Sequence, residues 1–584
     1  MRVRRALAFL AAIAVVATAC GDDGGDGEAS PTTTPGATTT AGGPTTTKAP
    51  VSGGTLVFGN FSEPASLDNV VSTGSGTTGG TEMAAVFDTL MRYNPDTGEY
   101  EGRTAETVTP SADFLEWTIK LRAGIKFSDG SPYDAEAVAF GLNRHRVGTS
   151  IPASECATYY VCPRNSTSSG VYMALVKDIQ VVDATTLKVT LNEPWSAFPY
   201  ALSDEASQIP SNTELKRVCT ATAPIRECTA FSLKPVGAGP FMVQSFVPKE
   251  AITMVKNPNY WGGQVYLDGF KSISINDQGG AQTYDGLKTG TFNVVYLRTP
   301  ATVFDAKEAK HPGFSETSHG GGLILLNTGV TVTCTGGQPA SWCEGKPDGP
   351  TKSTPATENL KVRQAIQAAI DPNVIDQRAN DGKGHPGSAL LQDDFRWNPG
   401  VPAPKYDPER AKQLVAEAKA EGWDGEVRML YSNGKFAVDV ALTTQALLEA
   451  VGIKTVVDTS KDTTAQVVQV ISQRDFELTG WGTTITNDDG AAAALAQNLA
   501  STSTSNRVGY SNPAVDQALK DLRKAKDDTE KKAAYKIILE NVYRDVPIYA
   551  WAKIEARIIW SDKVNGITPN HSGVFFLHDA WMEQ

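Results

Sequence analysis

The stretch "LRAGIKFSDGSPYDAEAV", Leu121 to Val138, decides the fold, because three kinds of local structure change over along it and its surroundings. The residues ahead of it, "LEWTIKL", read as a strand. A polar turn follows at Ser128 to Gly130, and a helix begins after Ser131 and Pro132. Gly124 and Gly130 stand at turn positions where a side chain would crowd. Phe127 and Tyr133 are assigned to packing rather than to contact with a ligand.

Working outward, the same mixture continues. "GGTLVFGNF" alternates as a strand, and "TEMAAVFDTLMRYN" sets Met83, Val86, Phe87 and Leu90 on one helical stripe. "IQVVDATTLKVTL" is a hairpin with its turn near Asp183 to Thr185. Further on, Val362, Ile366, Ala369 and Ile370 share a helix face that Pro372 helps to end. In "YDPERAKQLVAEAKAEGW", Asp407 caps, Pro408 opens the first turn, Ala411, Leu414, Val415 and Ala418 face inward, and Gly422 stops the helix. A strand at Glu426 to Tyr431, a helix at Val438 to Ala450 ended by Gly452, and the strand "IKTVVDT" complete a sheet covered by helices. Asn512 and Pro513 start another helix, and the next places Ile537, Ile538 and Tyr543 inward. "VPIYAWAKIEARIIW" then returns to β composition.

The amino end has a different physics. Arg2, Arg4 and Arg5 precede an apolar run, Leu7 to Val16, too short for a stable membrane span, so residues 1–19 read as an export signal. Small residues before Cys20 resemble a bacterial lipobox, with Ala17 where a large aliphatic residue is usual, and Cys20 is taken as the lipidated residue. Residues 20–52, mostly Gly, Thr, Pro and Ala, cannot repay the entropy of ordering and read as a tether. The body beyond is expected to be soluble. Its 65 acidic against 53 basic residues, a formal charge of −12, argue against a nucleic-acid surface. The remaining cysteines fall in three local pairs, Cys156 with Cys162, Cys219 with Cys228 and Cys334 with Cys343. In an exported chain these read as disulfides, a zinc site being the rival.

Four ordered motifs carry a family resemblance. They are the opening stretch with its flanks, "GAGPFMVQSFVPKEAITMVKNPNYWGG", "LLNTG" with "VRQAIQAAID", and "GYSNPAVDQAL". The chain resembles the family 5 solute-binding proteins of peptide and nickel ABC importers. The resemblance implies an α/β, two-lobed periplasmic-binding-protein-like fold of the large type II, cluster C kind, with an additional inserted domain. It places residues 53–83, 201–321 and 545–584 in domain I, 84–200 in inserted domain II and 322–544 in domain III. Two chain crossings form the hinge, Gly237, Gly239 and Pro240 shape the start of a strand, and Trp261 anchors a core.

By the same resemblance, "RDFELTGWGTTITNDDG" lines the cleft, with Trp481 as leading contact. Peptide binders of the family often hold the ligand amine with an aspartate three residues after that tryptophan; here the position is Thr484, uncharged. Asp488 and Asp489 are further candidates, Asp489 also as a helix cap. Phe395 and Trp397, aromatic in a polar run, are candidates either for ligand or for packing. Ser62, Glu63, Thr77 and Thr78 belong to loops resembling the family's first cleft-facing loops.

No nucleophile elbow, P-loop or H-E-x-x-H motif is found, and the six histidines form no ligand spacing, so no catalytic residue, metal or cofactor is assigned. The expected function is a monomeric extracytoplasmic receptor, held to the outer face of the membrane by its lipid, that passes an oligopeptide to ABC permease subunits and their ATPases. A nonpeptide solute, such as an oligosaccharide, a metal chelate or another small metabolite, is the alternative. A secreted hydrolase or a structural envelope lipoprotein is the alternative of another class.

Overall fold

The computed structural model describes residues 49–72, 74–161, 169–220, 228–275, 277 and 279–583. Strands apolar on both faces must be covered on both, and Val294–Leu297, Leu323 to Leu326 and Ile548 to Ala552 are buried throughout. They lie in the middle of an eleven-stranded sheet. Its order is Lys454–Lys461, Glu426–Ser432, Leu478–Trp481, Gly313–Leu326, Ile548–Trp560, Val294–Leu297, Thr55–Asn60, Gly269–Ser274, Ala251–Lys256 and Phe241–Val247, with His385–Pro386 paired to the long strand Ile548–Trp560. The long strand Ile548–Trp560, late in the chain, thus pairs with both Val294–Leu297 and Gly313–Leu326.

Gly313–Leu326 and Ile548–Trp560, 14 and 13 residues long, run antiparallel, and their register breaks between Ser318 and Leu323. Glycine is required at the break. A Cβ on Gly321 would lie 2.5 Å from Ile554 Cγ1, and one on Gly322 would lie 2.8 Å from the Trp551 ring.

A separate four-stranded sheet holds Ala105–Pro110, Glu116–Leu121, Thr186–Leu191 and Val176–Asp183. Helix Ala135–Arg144 packs on it, capped by Asp134, whose carboxylate accepts from Ala137 N at 3.0 Å. Trp117, Ile119, Phe127, Tyr133, Val138 and Leu187 are buried together there. Gly124 and Gly130 both take positive φ, 80° and 85°, as their turns require.

Several expectations are corrected. Helix Gly80–Phe87 stops before Leu90, because Asp88 leaves the helical region at φ 62° to present its carboxylate to Arg103, which donates two hydrogen bonds of 2.9 Å. Pro372 opens helix Pro372–Ala379, capped by Asp371, and the helix expected from Val438 begins at Lys435. Ile537 is 41% exposed, since successive residues on a helix point about 100° apart and Ile538 takes the buried direction. Disulfides join Cys219 to Cys228 and Cys334 to Cys343. Cys156 is disulfide-bonded, while its expected partner Cys162, together with Cys20, the signal segment and all but the end of the tether, lies outside the described residues. Among the described residues no helix is long and apolar enough to cross a membrane.

Candidate functional site

Trp481 ends the strand Leu478–Trp481 and is half-buried, with its ring turned to a cavity of about 420 Å³. The Arg507 guanidinium lies 5.2 Å from the ring centroid, and Arg507 Nη1 donates to Asn498 Oδ1 at 2.9 Å. Asn498 is itself held by bonds to Thr483 Oγ1 at 3.2 Å and Ala494 O at 2.7 Å, so the guanidinium is oriented from behind. Burial lowers the Arg507 pKa, helped by Arg474, and no carboxylate among the described residues forms an ion pair with it. A cation partly stripped of water and lacking a counter-ion attracts an anionic group from outside the protein.

The facing wall comes from the polypeptide between Tyr172 and Glu205. Tyr172 donates to Asp204 Oδ2 at 2.7 Å, and buried Glu205 accepts from Ser169 N at 2.8 Å and from Gly74 N. Burial first, then neighbouring Asp204, pushes Glu205 up to about 7. Burial also raises the Tyr200 phenol, whose hydroxyl sits so near Gly490 that a Cβ there would approach it to 2.6 Å. Ser75 and Ser572 complete the polar rim.

A second cavity, about 430 Å³, adjoins the first, since Thr486 and Ser572 line both. Glu316, Asp394, Asp488, Arg396 and His571 face into it. Asp488 is buried and accepts from Thr486 Oγ1 at 2.7 Å and Gly490 N at 2.8 Å, and burial raises its pKa. His571 bonds through Nε2 to Ser203 O at 3.0 Å and through Nδ1 to Ser572 Oγ at 3.1 Å. Among the described residues no group of three or more His, Cys, Asp or Glu is placed to hold a metal ion.

The sequence-derived candidates separate under this geometry. Trp481 and exposed Thr484 line the first cavity, and Asp488 the second. Asp489 takes the cap position without capping; it accepts instead from Tyr100 OH at 3.0 Å and Lys531 Nζ at 2.6 Å. Phe395 and Trp397 are corrected from ligand contact to core: at 3% and 1% exposure they pack on Tyr535, and Trp397 Nε1 donates to Asp528 at 2.8 Å. Ser62 donates to Thr77 O, while the Thr77 and Thr78 hydroxyls bond to Ser75 Oγ at 2.9 and 2.8 Å. These three stand behind the cleft wall, and Ser75 is the loop residue that reaches it. Exposed Glu63 lines a separate cavity of about 400 Å³ with Asn60 and Lys249. Sequence reading missed Arg507, Asn498, Tyr172, Tyr200 and Asp204, which share no motif and meet only through the fold.

Fold and cleft together define a class: a two-lobed α/β binding protein of the periplasmic type with an extra inserted domain. Two solved structures share it. DppA from Helicobacter pylori in complex with the peptide STSA aligns at TM-score 0.69 and 21% identity, covering 91% of this chain and 99% of that one. AgaA from A. tumefaciens R10 in complex with agropinic acid aligns at TM-score 0.66 and 23% identity, with 91% and 99% covered. The chain belongs to the bacterial extracellular solute-binding proteins, family 5, whose middle-region profile matches residues 99–506. The glutathione-binding protein GsiB of Escherichia coli K12 is 26% identical over 454 residues, 76% of this chain and 78% of GsiB.

Proposed function

We propose that the protein captures a peptide-type solute bearing a free carboxylate outside the cytoplasmic membrane and delivers it to an ABC permease. One observation carries this reading: the Arg507 guanidinium, over the Trp481 ring and without an acidic partner among the described residues, at the wall of an interlobe cavity. The indole covers apolar solute surface while the guanidinium takes the carboxylate in a bidentate pair. The charge absent at Thr484 is supplied from the facing wall by Asp204, positioned for a solute ammonium. The relatives named above bind glutathione, a tetrapeptide and agropinic acid, all of which carry a carboxylate.

Closure of the two lobes belongs to the same proposal. The register break between Ser318 and Leu323 serves as the hinge, and solute bound to both walls shifts the population toward the closed form. The same reading puts domain boundaries near residues 83, 200, 321 and 544; the separate four-stranded sheet, which falls within residues 84–200, supports the inserted domain. Lipid on Cys20 and the tether after it would keep the receptor within reach of its permease, and transport energy comes from the permease's ATPases.

Calorimetric titration of the full chain with trialanine and with trialanine amide tests the reading. At least tenfold weaker binding of the amide is expected. Equal affinities would remove the carboxylate role of Arg507, and binding of a nonpeptide acid alone would move the solute to the metabolite class.

A further inference from the structure

The second cavity has a charge balance that the carboxylate-binding site does not explain. Of its acidic groups, Asp394 is already answered by Lys553 at 2.5 Å. Its nitrogen donors are committed as well. Arg396 donates to Gly98 O at 3.0 Å and lies 5.1 Å from the Trp397 ring centroid, and both nitrogens of His571 are bonded to Ser203 and Ser572. Glu316 remains. Its Oε2 is closed to solvent and has no hydrogen-bond partner, although the side chain lines the cavity. A carboxyl oxygen kept dry and unpaired beside buried Asp488 is an acceptor that an arriving positive group would satisfy. The cavity is large enough for a lysine or arginine side chain, and Thr486 and Ser572 make it continuous with the site beneath Trp481.

We propose that this cavity receives the cationic side chain of the solute, with Glu316 as its main partner and Asp488 as the second, so that the receptor prefers peptides containing a basic residue. The inference rests on the peptide reading above and narrows it. The groups facing Glu316 from neighbouring elements are Asp488, Arg298, Tyr296 and Tyr200, and those across the cavity are Asp394, Arg396 and His571. Burial and Asp488 hold the free Glu316 carboxyl up to about 8, so a bound ammonium at pH 7 would displace its proton to solvent.

The test is calorimetric titration of the full chain with Ala-Lys-Ala and Ala-norleucine-Ala, which match in length and differ in the side-chain ammonium. Wild-type protein should bind the lysine peptide at least tenfold more tightly, and Glu316→Gln should shrink that ratio below threefold. As a readout needing no variant, titration at pH 7 in buffers of different ionisation enthalpy should show about one more proton released with the lysine peptide. Equal wild-type affinities, a ratio that survives Glu316→Gln, or equal proton release would overturn the assignment of the cavity and leave the peptide reading standing. Failure of both peptides to bind would overturn the peptide reading itself.

Discussion

The Tyr100 phenol donates a hydrogen bond of 3.0 Å to Asp489, which is also paired with Lys531 at 2.6 Å. The bond joins strand Glu99–Gly102 to the start of helix Gly490–Leu499, 389 residues further along the chain. Arg523 Nη1 likewise reaches Glu193 at 2.8 Å, a second tie between residues 84–200 and the later part of the chain. Tyr100 and Glu193 are thereby tied directly to Asp489 and Arg523.

Tyr100→Phe removes the first tie with little change of packing. A neutral donor to a charged acceptor contributes about 1.5–3 kcal/mol, so the variant should populate the open form more and bind solute roughly tenfold more weakly. Small-angle scattering with and without solute measures the shift. An unchanged scattering profile and affinity would show that the bond does not bias closure.

Arg507→Ala should weaken binding of a peptide with a free carboxylate by about 100-fold, and Arg507→Lys should recover only part of that, because an ammonium cannot pair in the bidentate plane or stack on Trp481 in the same way. Neither change should alter the already weak binding of the amidated peptide. Titrating both variants against both peptides separates the lost ion pair from general damage to the cleft.

Glu316 also predicts how stability responds to pH. Its folded pKa, about 8, exceeds the ordinary 4.5, so between those values the folded chain holds a proton that the unfolded chain has lost. Stability therefore falls as pH rises through that window, and Glu316→Gln should abolish this group's share. Thermal melts should match wild type near pH 4, with the variant more stable by on the order of 1–3 kcal/mol at pH 8.5. A constant difference across pH would assign the burial cost elsewhere.

The Cys334–Cys343 disulfide closes a short loop over Val330, Val332 and Trp342. Replacing both cysteines with serine should cost about 2–3 kcal/mol by loop entropy. None of these residues lines either cavity, so solute affinity of the folded protein should stay within twofold. Denaturant melts and one titration check both halves.

Local chemistry was legible wherever a segment carried its own punctuation. Asp407, Pro408 and Gly422 bound helix Pro408–Ala420 as expected, with Gly422 at φ 102°. Trp481 was legible through family resemblance, whereas Phe395 and Trp397 misled because a polar sequence neighbourhood does not mean a polar spatial one: Tyr535 covers both from far along the chain. Arg507 sits in "STSTSNRVGY", without periodicity or motif. Its role comes from Asn498 and Trp481, neither of which sequence spacing could place beside it.

The first cavity draws its walls from Ser75, the Tyr172 to Glu205 region, Trp481, Arg507 and finally Ser572. Competence to bind must therefore appear late in maturation, once residues near the carboxyl end have docked against those near the start. A chain emerging amino end first would be blind to its solute until Ser572 had been delivered, so connectivity alone delays occupancy during biogenesis.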